Sequence, residues 1–470
     1  MKNLLLILFC SLSGVVVSQT PCVGGMAGSF PCNGFDLQSR ISLAEFGSSF
    51  GNDSWGWTDP LDGKEYALMG LGDGTAFVDI SDPINPVFLG KLPTQTSSSF
   101  WRDIKVYENH AFIVSEANGH GMQIFDLTRL RSVASPPANF NADALYTGFG
   151  SAHNLIINED TGYAYGVGTN TFNGGPHIVN IQDPVNPIFE GGFSFTQYCH
   201  DAQVITYNGP DTDYTGREIL FGSNENEVVI VDVTDKFNPV SISSISYSNV
   251  AYTHQGWFSE DQRYFIVGDE VDEINIGFNT KTIIFDFNDL DNPAFSFNYT
   301  GPTSASDHNG YVVGNTYYMA SYRAGMRALD ITNIGSQDIS EIGYFDTHPE
   351  SNSVNTNNGA WNVYPFFASG NLIVSDEDRG LFLIKSSSLG VNDADDLGFS
   401  LYPNPSNNNL TIKSINDPLT AVEVFNVSGQ RVLDFKFSET NSETIDVSVL
   451  TSGIYLVRIN DSTTKRLIVK

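Results

Sequence analysis

Four histidines of this chain fall at nearly constant spacing. His153, His200, His254 and His308 continue a series with Trp55, Arg102 and Trp361, at successive intervals of 47, 51, 47, 54, 54 and 53 residues. The chain holds 8 histidines, so half of them occupy one equivalent position of a repeat. Neutral imidazoles gathered into one small volume are ligands for a transition metal. The polar residues that follow them, Asp103, Asn154, Asp201, Gln255, Asn309 and Asn362, can orient such ligands. The plainer alternative is that each histidine caps its strand or hydrogen-bonds a neighbouring sheet. Repeats copy structural polar groups too, and tryptophan and arginine are not metal ligands. Side-chain direction decides between these readings, and the sequence leaves both open.

Acidic and basic residues recur on loops expected at the same end of the repeats: Glu116, Asp269, Glu270, Arg323, Asp376 and Glu377. The candidate ligand contacts are therefore Arg102, Glu116, Asp201, Glu270, Arg323 and Asp376. In a metal-dependent enzyme Glu270 or Glu116 would accept a proton. Calcium is a candidate at two acidic loops, Asn208–Gly216 with Asp211 and Asp213, and Ser375–Gly380. The first lacks the bidentate glutamate of an EF-hand, and a polar turn accounts for it. No G-x-S-x-G elbow, P-loop or H-E-x-x-H motif is present, so a serine hydrolase, a nucleotide enzyme and a zincin lack motif support.

What must position these residues is a repeat. VVIVDVTDKFNP (228–239) returns as TAFVDISDPINP, HIVNIQDPVNP and TIIFDFNDLDNP, with looser copies MQIFDLTRL, MRALDITNI and LFLIKSSS. Its key position is Asp79, Asp126, Asn180, Asp232, Asp286, Asp330 and Lys385, at intervals of 47, 54, 52, 54, 44 and 55 residues. That period fits a four-stranded propeller blade. The aspartate stands where the third strand enters its turn, and an Asx hydrogen bond explains it without a ligand. The fold class expected is all-β, a seven-bladed β-propeller followed by a small C-terminal β-sandwich. First strands would line the axis and bring equivalent positions to one level. Residues Arg40–Phe46 would supply the missing outer strand of the last blade.

Composition bounds the partners. With 23 basic and 54 acidic residues the net charge is −31, which repels phosphate backbones and argues against nucleic acid. The start, with Lys2, an apolar run from Leu4 and small residues at Val16 and Ser18, reads as a signal peptide over 1–18. No later stretch approaches a membrane span, so no transmembrane helix is expected. Cys22 and Cys32, in an exported chain, are expected to pair as a disulfide, while Cys199 reads as a buried thiol. The domains are then a signal peptide (1–18), a propeller (19–389), an acidic linker (390–400) and a C-terminal unit (401–470).

Two resemblances add an address. The tail, with YPNP, NVSGQ, LTSGIYLVRI and the terminal KRLIVK, resembles the C-terminal sorting domain of the type IX secretion system of Bacteroidetes. That implies an encounter with the type IX machinery through residues 401–470, and a secreted or outer-membrane-surface protein. The body is similar to the choice-of-anchor B family with its LVIVD repeats. The similarity rests on PCVGGMAGSFPC, WGWTDPLDGKEYAL, TGFGSAHNLIINEDTGYAYGVGTNT, YTHQGWFSEDQRYF, DHNGYV and YRAGMRALDI. It implies the fold, not a reaction. The functional expectation is a binding or interaction module for an extracellular ligand, with a metal-dependent enzyme as the alternative.

Overall fold

The computed structural model describes residues 19–194, 197–354, 358–387, 399–404, 406, 408–414, 418–426, 430–460 and 463–469. The leader (1–18), most of the linker expected at 390–400 and the turn residues Ser428 and Gly429 lie outside the described residues. The chain divides into two compact units, Met1–Ser387 and Ser388–Lys470.

The repeated phrase forms the third strand of each sheet in the first unit. Val228–Asp232 is buried along its whole length, because both of its faces pack against neighbouring sheets. A strand covered on both sides needs a continuous apolar run rather than alternation, and β-branched residues suit it. The outer strand beside it, Val240–Ile245, is largely exposed. The Asx turn recurs at six of the key positions. Asp79, Asp126, Asn180, Asp232, Asp286 and Asp330 each accept from the backbone N–H two residues on, at 2.8–3.1 Å. These bonds account for the residues at the key position as strand-ending turns.

Among the described residues the first unit holds seven sheets. Their first strands are Gly51–Thr58, Arg102–Tyr107, Asn154–Asn158, Asp201–Thr206, Thr253–Phe258, Gly310–Val313 and Ala360–Tyr364. Each pairs antiparallel with the strand that follows it. Each first strand contacts the first strand of the next sheet, and the seventh contacts the first, so the contacts close into a cycle. Apolar cores follow the same order, one between each neighbouring pair. Phe112, Val114 and Ile124 of the second sheet meet Leu155, Ala164 and Val179 of the third. Ile373, Leu381 and Leu383 of the seventh meet Ala67, Met69 and Val78 of the first.

The two ends of this unit are tied together. Phe35–Ile41 pairs antiparallel with Gly380–Ser386 as the outer strand of the seventh sheet. The strand expected at Arg40–Phe46 is therefore displaced toward the N-terminus, and Leu43–Phe46 is one helical turn. Ser42 caps that turn, accepting from the Glu45 N–H while the Glu45 carboxylate accepts from the Ser42 N–H. Local capping chemistry wins over the alternation seen in the sequence. Just upstream, Met26–Ala27 and Phe30–Asn33 extend the sixth sheet, and Cys22 is joined to Cys32.

In the second unit, three strands (Phe399–Tyr402, Asn409–Ser414, Ser442–Asp446) and four (Arg431–Thr440, Leu419–Asn426, Gly453–Ile459, Thr463–Val469) make two sheets. They share one core that includes Leu410, Ile412, Val422, Ile445, Val457 and Leu467.

The Cys22–Cys32 bridge spans a sequence separation of 10. Closing a loop of that size stabilises by about 2–3 kcal/mol through the unfolded chain. Cys22→Ser with Cys32→Ser should lower stability by that amount in urea unfolding, without changing the far-UV spectrum.

Candidate functional site

Six of the ring positions fall at or beside the starts of the first strands; Trp55 does not, standing fifth in Gly51–Thr58 and lining a different cavity from the histidines. The backbone N–H of His200 pairs with the Ser223 carbonyl (2.9 Å), and that of His308 with the Ala320 carbonyl (2.9 Å). Because the first strands meet their neighbours in sequence, the imidazoles do too. Ring centroids are 4.2 Å apart for His153 and His200, 4.3 Å for His200 and His254, and 4.2 Å for His254 and His308. Trp361 continues the row 4.4 Å beyond His308.

Two of the four rings are spent in part on neighbouring backbone. Nδ1 of His200 lies 3.1 Å from the His254 carbonyl, and Nδ1 of His308 lies 2.6 Å from the Trp361 carbonyl. His153 instead puts Nδ1 2.6 Å from the Glu116 carboxylate. Nδ1 of His254 is buried without a hydrogen-bond partner. One ligand atom each from His254, Glu270 and His308 lies within 4.8 Å of the others, close enough for one metal ion. Glu270 Oε2 is 3.7 Å from His254 Nε2, and its Oε1 accepts from the Tyr322 hydroxyl at 2.8 Å.

Burial sets the charge state of this row. It drives the His200 and His254 imidazoles well below their usual pKa, reinforced by neighbouring histidines, and takes His308 down to about 3. These three rings are neutral at physiological pH, the form that binds metals. Burial lifts Glu270 and takes Glu377, beside Asp376, Asp378 and Glu270, up to about 8.

His153 and His200 open on a cavity of about 580 Å³, lined also by Trp361, the acids Glu116, Glu225, Glu270 and Glu377, and the tyrosines Tyr198, Tyr252 and Tyr322; His254 and His308 lie behind this lining and meet it through Glu270. Of the candidate ligand contacts, Glu116 and Glu270 belong here; the other four do not. Arg102 starts its strand like the histidines, but its longer side chain folds back into the protein. It donates to the Leu71 carbonyl (3.1 Å) and the Thr94 hydroxyl (2.8 Å), beside His120 Nε2 (3.0 Å). Arg323 is taken by Ser353 (3.1 Å) and Asn358 (2.8 Å). Asp376 is buried and accepts the N–H of Asp378 and Arg379, so the adjacent Glu377 faces the cavity instead. Asp201 lines a second cavity. No guanidinium reaches the imidazoles among the residues lining the cavity.

The residues that follow the ring positions do not orient imidazoles. Several of them clamp the next sheet. The Asp103 carboxylate accepts the Leu155 N–H (2.6 Å), Asn154 donates to the His200 carbonyl (3.0 Å), Gln255 exchanges two bonds with Gly310 (3.1 Å each), and Asn362 donates to the Ser54 carbonyl (2.6 Å). Of the acidic loops, Asp211 accepts the Asp213 N–H as a polar turn. Asp211 also comes within ligand distance of Asp289 and Asp291, all partly or fully exposed. Cys199 is buried, and burial pushes its thiol well up.

Sequence reasoning missed Tyr198, Tyr252, Tyr322 and Glu225. Two of them carried a signal, since Tyr198 and Tyr252 each stand two residues before a ring histidine.

Residues 400–470 match the family described as "Secretion system C-terminal sorting domain". The tail is a type IX sorting domain. It directs the chain to the type IX machinery and makes it a secreted or cell-surface protein. Among the described residues no helix is long and apolar enough to cross a membrane. No curated protein sequence matches the chain. Among solved structures, the chain is similar to PorZ of Porphyromonas gingivalis, described as an essential bacterial surface component of the type IX secretion system. Identity is 14%, the match covers 89% of this chain and 59% of that one, and the TM-score is 0.47. A protein from Lactobacillus plantarum matches at 11% identity over 84% of this chain and 98% of that one, with a TM-score of 0.44.

The Arg102 contact predicts a pH effect. Burial first, then the Arg102 charge, holds buried His120 at about 4. The unfolded imidazole takes up its proton near 6.5. Between those values the unfolded state binds more protons, so this contribution is complete above about 6.5 and lost as pH falls toward 4. His120→Gln should remove up to about 3 kcal/mol of the stability change across that window, read as a flatter stability–pH curve in urea unfolding.

Proposed function

We propose that the first unit is a seven-bladed β-propeller of the choice-of-anchor B kind, each sheet a blade, and that the second is a β-sandwich. The cycle of first-strand contacts supports this reading, as do the two cavities lined by residues from successive sheets. On this reading the sorting domain carries the propeller out of the cell, where it acts as a binding module. Its ligand enters the cavity of imidazoles, carboxylates and tyrosine hydroxyls.

The observation that carries the proposal is the cluster of His254, Glu270 and His308, where three ligand atoms lie within reach of one ion. A transition-metal ion held there would anchor a polar extracellular ligand. The tyrosine hydroxyls would then hydrogen-bond the ligand at the cavity wall.

A metal-dependent enzyme is the second reading, favoured by one contact. Glu116, paired with His153 on the cavity wall, is a carboxylate free of the proposed metal and placed to accept a proton.

Elemental analysis of the full chain purified without chelators should find close to one first-row transition metal per chain. His254→Ala with His308→Ala should lose it while keeping the circular dichroism of the parent. A metal-free parent whose melting temperature does not respond to added zinc, manganese, iron or copper would overturn the metal-anchored cavity.

A further inference from the structure

A second cavity, of about 520 Å³, shares no lining residue with the first and draws on the first strands of all seven sheets. Its volume lies within the roughly 300–1,000 Å³ of small-molecule sites. The aromatic residues of the lining gather on one side. Trp55, Trp257, Tyr311, Tyr364 and Phe366 come from the fifth, sixth, seventh and first sheets and form one aromatic wall. Their mutual contacts are edge-on or tilted, at centroid distances of 4.9–6.3 Å, and none is face-stacked. Facing them, the second, third and fourth sheets bring aliphatic side chains such as Ile156 and Val204, and among them the polar groups of Asp103, Lys105, Asn154, Asn158, Asp160 and Asp201.

This division selects a ligand class. An aliphatic ligand would leave the polar side dehydrated and unpaired, at a cost of kcal/mol for each group. Phosphates and other anions meet the carboxylates of Asp103, Glu159, Asp160 and Asp201. A small cation meets Lys105, whose ammonium is bonded to Asp103 (2.5 Å) and sits 4.6 Å over the Trp55 ring, where a cationic guest would have to go. A neutral ring with one apolar face and a rim of hydroxyls suits both sides: C–H groups on the aromatic rings, hydroxyls on the carboxylates and amides. One amide in the lining has hydrogen-bonding capacity to spare. Asn309 is 7% exposed, lines the cavity, and its Oδ1 has no hydrogen-bond partner.

We infer that this cavity is a saccharide site that takes a neutral mono- or disaccharide, with the sugar face against Trp257 and Phe366 and a hydroxyl donated to Asn309. It is independent of the histidine cavity, and either site can exist without the other.

The test is titration of the full chain with glucose, galactose, mannose, N-acetylglucosamine, lactose, maltose and cellobiose, followed by tryptophan fluorescence and calorimetry. At least one should bind saturably, with a Kd of about 1 mM or tighter. Asn309→Ala and Phe366→Ala should each weaken it by about tenfold, equivalent to about 1.4 kcal/mol. Phe366 is 37% exposed, so its truncation leaves the fold intact and keeps the test decisive if the Asn309 variant misfolds. Failure of every sugar to bind overturns the inference. So does binding that both variants leave unchanged, or saturable binding of tetramethylammonium or inorganic phosphate in place of any sugar.

Discussion

A side chain on the first strand of one sheet bonds the backbone of the next sheet's first strand. The rest of the first unit depends on this bond. Asp53 takes the Ile104 N–H (3.2 Å), and Asp103, Asn154, Gln255 and Asn362 repeat the move at four of the other six boundaries. A first strand has a partner strand on only one side, so its other edge presents unpaired donors and acceptors. Inside the protein those groups cannot turn to water, and each one left unpaired costs about 1–3 kcal/mol. The clamps satisfy them and, in doing so, fix how far each strand is offset from the next.

That offset is what makes the histidines neighbours. Imidazole centroids 4.2–4.3 Å apart follow from strands held in register across sheet boundaries. The two readings of the histidines turn out to share the ring atoms between them. His308 gives Nδ1 to the Trp361 carbonyl, which leaves Nε2 as the atom it can offer beside His254 and Glu270. A backbone bond at one nitrogen fixes the tautomer and orientation of the other, as a structural bond does in metal sites generally. Burial then keeps the proton off.

Much of this could be read from the letters. The spacing of Asp79, Asp126, Asn180, Asp232, Asp286 and Asp330 announced the strand ends, and the same spacing announced the histidine row. Periodicity is legible because each copy repeats one solution to the same local problem. The failures came where side-chain length or direction decides. Arg102 occupies a ring position yet reaches back to Leu71 and Thr94, and Asp376 turns inward where Glu377 turns out. Neighbours in a strand face opposite ways, so a one-residue error swaps the two sides. The aromatic wall stayed hidden for another reason. Trp257, Tyr311 and Tyr364 each look like an ordinary strand residue until the strands are brought together, and the spacing of Trp55 points to the histidine row instead of to them.

The pairing of Phe35–Ile41 with Gly380–Ser386 joins segments separated by most of the first unit, as the Arg40 to Arg379 contact, 339 residues apart in sequence, illustrates. A contact of such long range forms late, since the entropy of closing so large a loop must be met before any reward arrives. Until that strand docks, the seventh sheet shows a bare edge able to recruit other chains. A polypeptide synthesised from its N-terminus therefore makes its closing strand first and uses it last. The interval between the two is when an exported chain most needs a chaperone's protection.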